Sequence, residues 1–118
     1  MERQVRSVDM EDTIAAVEAL FVLHSLSWAP VFESSSTLVG AISASDLLQF
    51  HAQGLDPTAV RAWQRCSYKP ITVSPDTSVS DVARLMIESK LHHVVVTDSK
   101  GIAGVVSSLD FVRTFVRN

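Results

Sequence analysis

The sequence predicts an α/β (α+β) fold of two β-α-β-β-α repeats, packed sheet to sheet about a pseudo-twofold axis. Three observations carry that expectation. The chain repeats itself at a nearly constant offset, each copy alternates strand-like and helix-like hydrophobic periods, and the totals suit one globular body. At 118 residues, with 47% hydrophobic and 19% charged residues, the chain is long enough to bury a sizeable core and too apolar for disorder.

The repeat comes first, because an internal period fixes the architecture. Residues 11–33 lie over 76–98 at a shift of 65, so that Ile14 meets Val79, Val17 meets Val82, Leu20 meets Leu85 and Val31 meets Val96. One extra residue in "SSST" relative to "SKG" reduces the shift to 64, and "GAISASDLL" (40–48) falls on "GVVSSLDFV" (104–112). A length change at a polar turn between strands disturbs least.

Each copy opens on a short apolar strand, "QVRSV" and "PITV". An amphipathic helix follows, with Ile14, Val17, Leu20 and Phe21 in one copy and Val79, Val82, Leu85 and Met86 in the other, the helical period of apolar residues. Asp12 or Thr13 can cap the first helix, and Ser78 with Asp81 has the spacing of a capping box. Two strands joined by a polar turn come next, "APVFE"–"TLVGAIS" and "VVVTD"–"IAGVVS", the second pair rich in β-branched residues. A closing helix begins near Asp46 and again near Asp110. The expected bounds are 1–55 for the first repeat, 56–69 for a linker with a short helix from Pro57, and 70–118 for the second, together one 1–118 module. Phe111 and Phe115, with Arg113 and Arg117 on a neighbouring face, suit a last helix that buries one side against the other repeat or a second subunit.

The totals also exclude function classes. Ten Lys+Arg against thirteen Asp+Glu give a net charge of −3, so nucleic acid is not an expected partner. Cys66 is the single cysteine, which fits a reducing cytoplasm, and no apolar run reaches the ~20 residues needed to cross a bilayer. His92 and His93, adjacent on a strand, point to opposite faces, and no His/Cys spacing of a metal site occurs with them, His24, His51 or Cys66. No nucleophile elbow or P-loop is present, so neither metal nor catalysis is expected. Cys66 and Trp63 read first as packing.

The repeated β-α-β-β-α pattern, "KLHHVVVTD", and the twice-written ending Gly-h-h-Ser-x-x-Asp (h apolar) resemble the tandem CBS domain pair, the Bateman module. The resemblance covers nearly the whole chain. It implies a regulatory, non-enzymatic module that binds an adenine nucleotide (AMP, ADP or ATP), with S-adenosylmethionine or a ligand-free dimerisation role as alternatives, in clefts bordered by both repeats. It also implies a homodimer, an unidentified regulated protein, and no required cofactor.

Carried onto this sequence, the family pattern places Ser43, Ser45 and Asp46 with Leu91, His92, His93 and Thr72 in a stronger cleft. Ser107 and Asp110 join Leu26, Ser27, Trp28 and Ser7 in a weaker one. The chemistry is apt: a carboxylate accepts hydrogen bonds from a vicinal diol, and a helix N-terminus offers N–H groups to a phosphate. Each aspartate, however, falls in a first helical turn, where the helix dipole alone favours it. Trp28 reads as filling its crevice, with stacking on a base as the second reading. Protonation of a cleft histidine near its usual pKa of about 6.5 would strengthen phosphate binding as pH falls.

Overall fold

The first repeat runs β1 (Val8–Asp9), α1 (Ile14–His24), β2 (Trp28–Glu33), β3 (Thr37–Ser43) and α2 (Ala44–Ala52). The second runs β4 (Thr72–Val73), α3 (Val79–Glu88), β5 (His93–Asp98), β6 (Gly101–Ser107) and α4 (Ser108–Arg117). The computed structural model describes residues 5–34, 37–68 and 72–117, the side chains of 114–117 excepted. The β-α-β-β-α order is present twice. The first leading strand starts later than expected, with Ser7 preceding β1, and β4 covers both described residues of the second, while Gln4, Pro70 and Ile71 fall outside the described residues. So do the side chains of Phe115 and Arg117.

Each repeat is a three-stranded mixed sheet with its helices. In the first, β1 runs parallel to β2 (Val8 opposite Val31) and β2 antiparallel to β3 (Trp28 opposite Ser43). In the second, Thr72 lies opposite Val95 and His93 opposite Ser107. Both antiparallel pairs carry the same irregularity. Pairing jumps from Val31–Gly40 to Phe32–Leu38, and from Val96–Gly104 to Thr97–Ile102, leaving Val39 and Ala103 as the extra residue of a β-bulge.

The helix ends repeat too. The Thr13 hydroxyl accepts the Ala16 N–H at 3.1 Å and Ser78 accepts the Asp81 N–H at 3.2 Å, each satisfying an orphan donor of the first turn. Only this half of the capping box expected at Ser78 and Asp81 forms. Ser25 (φ 53°) and Lys90 (φ 55°) end α1 and α3 in the left-handed conformation. Beyond them Leu26 and Leu91 donate to Phe21 and Met86 carbonyls, each at 2.9 Å, and pack against the cores of their own repeats.

Residues 56–68 form no α-helix. They make a turn at 57–59 and a one-turn 3-10 helix at Ala62–Gln64, and they belong to the compact unit Arg6–Pro70 rather than to the unit built on Ile71–Asn118. The reason is hydrogen bonding to the first repeat. Ile14 N–H donates to the Val60 carbonyl and Ala15 N–H to that of Pro57, both at 2.9 Å, while Ala62 and Trp63 N–H reach Asp12 and Met10 carbonyls at 2.8 and 3.1 Å. Ala62 is fully buried in that core, and the Arg65 guanidinium sits 5.5 Å from the centre of the buried Phe50 ring. Ser67 then pairs with Ala41 through two 2.8 Å bonds along the free edge of β3.

The two cores differ. Eleven buried residues cluster in the first repeat, and three (Val82, Met86, Val94) in the second among the described residues. Val79, expected on the apolar face of its helix, is 68% exposed, whereas its counterpart Ile14 is completely buried. In the first repeat Val60 and Ala62 pack with the cluster that contains Ile14.

Candidate functional site

The two Ser-x-x-Asp corners form at the strand-to-helix joints, where β3 passes into α2 and β6 into α4. Ser43 is the N-cap of α2, and its Oγ accepts the Asp46 N–H at 3.2 Å. In return Asp46 Oδ2 accepts the Ser43 N–H at 2.7 Å and the Ser43 hydroxyl at 2.9 Å. Ser107 and Asp110 repeat the reciprocal pair, at 2.8 Å for Ser107 N–H to Asp110 Oδ2 and 3.3 Å for Asp110 N–H to Ser107 Oγ. Both aspartates therefore serve capping boxes, which satisfy two orphan donors per helix. The signal was present in the sequence, since Ser-x-x-Asp ahead of an apolar run is the capping-box pattern itself.

The helix N-termini offer an anion less than expected. The Ala44 N–H donates to the Ser27 carbonyl at 2.8 Å, and the Ser108 N–H to the His92 carbonyl at 3.0 Å. With the third-position amides held by serine Oγ atoms, only the second-position amides, Ser45 and Leu109, are left by these bonds among the first three. Within each repeat this bond also fixes the loop ahead of the middle strand beside the corner: Ser27 and Trp28 beside Ser43, His92 and His93 beside Ser107. Each cleft expected from the family pattern joins residues of different repeats, so local geometry describes the corners and leaves that pairing an expectation.

The corners are not equivalent. Asp46 Oδ1 accepts no hydrogen bond among the described residues, whereas Asp110 Oδ1 has the Arg113 guanidinium at 4.0 Å. Ser45 is exposed and its Oγ accepts from Gln49 Nε2 at 3.4 Å; the matching residue is Leu109, with no hydroxyl to offer. Thr72 and Ser7 are both exposed. His93 is half-buried, and burial pushes its pKa below the usual histidine value, helped by neighbouring His92 and opposed by Asp110. It thus carries less charge near neutrality than a solvent histidine. Burial likewise pushes the Cys66 thiol up, with Asp46 adding to the shift and a bond from Tyr68 opposing it, the signature of a packed thiol rather than a reactive one.

The sequence reading missed one contact. His51 on α2 lies 2.7 Å from Glu18 on α1, through Nε2 and Oε2, and Glu18 Oε1 is buried with no hydrogen-bond partner among the described residues. No short-range motif signals it, because the partners are 33 positions apart. The two residues border an open groove that also contains Phe21, Val22, Leu47 and Leu48. The second repeat has the counterpart, with Met86, Ile87, Phe111 and Val112. Val22, Leu48 and Ile87 are 81%, 73% and 77% exposed, so both repeats present apolar helical faces. Among the described residues no group of three or more His, Cys, Asp or Glu is placed to hold a metal ion, and no helix is long and apolar enough to cross a membrane.

The duplicated sheet, bulge and Ser-x-x-Asp corner coincide with a duplicated family match, since the CBS domain profile fits residues 1–52 and again 61–117. The chain belongs to the CBS-domain family. It is a tandem CBS pair, a Bateman module. A curated relative is the inosine-5'-monophosphate dehydrogenase of Halobacterium salinarum, 32% identical over 98 residues; the match takes in 82% of this chain and 19% of the dehydrogenase. The chain thus spans about a fifth of that relative's length. Among solved structures, CBSX2 in complex with AMP matches with a TM-score of 0.80 at 24% identity, covering 99% of this chain and 92% of its own. The CBS domain of the bacterial CNNM/CorC family Mg2+ transporter in complex with ATP matches with a TM-score of 0.86 at 24% identity, covering 98% and 82%. These likenesses establish the CBS-pair fold, in which each repeat is a mixed three-stranded sheet with helices.

Proposed function

We propose that this CBS pair is a non-catalytic regulatory module that binds an adenine nucleotide (AMP, ADP or ATP) and passes the result to a partner protein through altered conformation or dimer geometry. The observation that carries the reading is the Asp46 corner. One carboxylate oxygen is held by the Ser43 amide and hydroxyl, which fixes the group, while Oδ1 keeps its acceptor capacity for the hydroxyls of a ribose. A fixed carboxylate with one open oxygen is a pre-organised acceptor, and it loses little side-chain freedom on binding. Asp110 is the poorer acceptor because Arg113 already faces its second oxygen. The AMP and ATP complexes of two proteins with this fold support the same ligand class.

Regulation requires that the ligand favour one arrangement over another. The exposed apolar faces of α1–α2 and α3–α4 supply a surface for a second copy, and a stable dimer would cover about 800 Å² on each partner. A ligand-free dimerisation module is the second reading, favoured by the capping boxes, which give both aspartates a structural role.

Thermal unfolding with AMP, ADP, ATP and S-adenosylmethionine separates the two. A nucleotide at a hundred times its dissociation constant should stabilise the fold by about 2.7 kcal/mol. Asp46→Asn should remove that ligand-dependent increment, Asp110→Asn should reduce it less, and Ser43→Ala should lower the unliganded baseline by about 1 kcal/mol through the lost cap. No increment with any ligand leaves the dimerisation reading. Equal losses from the two aspartate variants would sink the asymmetry between corners.

A further inference from the structure

The groove beside α1 and α2 and the groove beside α3 and α4 are counterparts. At the offsets of the internal repeat, Val22 corresponds to Ile87 and Leu48 to Val112. All four side chains are more than half exposed, so the two apolar faces are alike. Charge distinguishes them. Glu18 lines the first groove where the second has Ala83, and Lys90 lines the second where the first has Ser25. Each charge is incompletely matched within its own repeat. His51 takes one Glu18 oxygen, while the other is buried with no hydrogen-bond partner among the described residues. Lys90 is exposed and makes no ion pair among the described residues. The two charges also stand at opposite ends of the apolar stretch. Glu18 lies one turn before Val22, and Lys90 follows Ile87 just past the end of α3.

We propose that the first-repeat groove receives the second-repeat groove of another copy of this chain, with α1 antiparallel to α3 and Glu18 paired to Lys90. An antiparallel pair centred on Val22 and Ile87 brings the early residues of one helix level with the late residues of the other. Glu18 then meets Lys90, and Ser25 meets Ala83. Like grooves packed the same way set Glu18 against Ser25, and Lys90 against Ala83 and the cationic Arg84. Both charges then lose water without gaining a partner. Complementary charge fixes register and disfavours the wrong pairing. This pairing rests on the reading of both faces as surfaces for a second copy, and adds which face meets which. Because unlike repeats meet, a ligand-driven change in one copy's first repeat bears on the second repeat of its neighbour.

Sedimentation equilibrium of the whole protein and its variants tests the pairing. The unaltered chain should self-associate. Glu18→Lys and Lys90→Glu should each weaken association by at least about fivefold. Mixing the two variants, or combining both changes in one chain, should restore it, because every interface then joins one lysine to one glutamate. Lys90 is exposed outside the helix, so Lys90→Glu should fold, and that arm stands even where Glu18→Lys does not fold. Association that Lys90→Glu leaves unchanged overturns the proposal, as does a failure of the two folded variants to restore each other. Either result leaves self-association through like grooves, whereas a monomeric unaltered chain overturns the dimer reading as well.

Discussion

In Asp46 and Asp110 the two carboxylate oxygens have different surroundings. Oδ2 closes the capping box in each repeat, while the surroundings of Oδ1 distinguish the copies. The sequence displays the pair of residues and their spacing, and both readings of that spacing were visible. It does not display which oxygen is spent, because that depends on the φ/ψ of the cap and on Arg113 one turn further along α4. His93 shows the same limit. The structure sets it opposite Ser107, and its burial follows from packing that no local period encodes. With a pKa held below that of the unfolded chain, neutral His93 contributes stability that is present above pH about 6.5. That contribution is lost as pH falls toward and through its folded value, because the unfolded chain then binds the extra proton. Urea midpoints should accordingly decline from pH 7.5 to 5.5, and His93→Gln should flatten the decline; an unchanged slope would place the titration elsewhere.

At the scale of elements, the helices and the antiparallel strands were legible, because apolar residues at helical spacing in α1 and β-branched runs in β5 each state their own period. The leading strands were legible in place but not in extent, and the 56–68 segment was not. A two-residue strand has no period to read, and Pro57 followed by Thr58 and Ala59 looks like a helix start until Ile14 and Ala15 compete for the Val60 and Pro57 carbonyls. The glycine of the repeated motif has its explanation here as well. A Cβ on Gly40 would stand 2.1 Å from the Ser67 carbonyl oxygen, which itself accepts the Ala41 N–H. Gly40→Ala must therefore push the 66–67 backbone off the edge of β3. The loss of that two-bond bridge and its packing should cost about 2–3 kcal/mol, read as a lower urea midpoint. A neutral result would mean that the edge pairing is dispensable.

Across the whole molecule the duplication is faithful in topology and unequal in burial. Secondary structure, register, bulge and capping corner recur, yet among the described residues the first repeat carries the larger buried cluster and the second leaves Val79 exposed. The sequence announces the symmetry through its offset and hides the difference at Val79, because burial is set by packing that the offset does not encode. Native-state hydrogen exchange should show it. The amides of α3 and β5 should open at lower free energy than those of α1 and β2, and uniform protection would contradict the difference in cores.

The paired bulges have a consequence for how such a chain tolerates change. Between the bulge and the tip the hairpins pair alike, and the sequence linking Glu33 to Thr37 is one residue longer than that linking Asp98 to Gly101. On the far side, from Gly40 to Ser43 and from Gly104 to Ser107, the pairings correspond rung for rung. The bulge thus behaves as a fixed origin from which each corner is measured, and the turn beyond it is a free margin. Variation in that margin, by drift or by deliberate insertion of a reporter, is absorbed before it reaches Asp46, so the length of the hairpin and the chemistry of the corner can evolve independently.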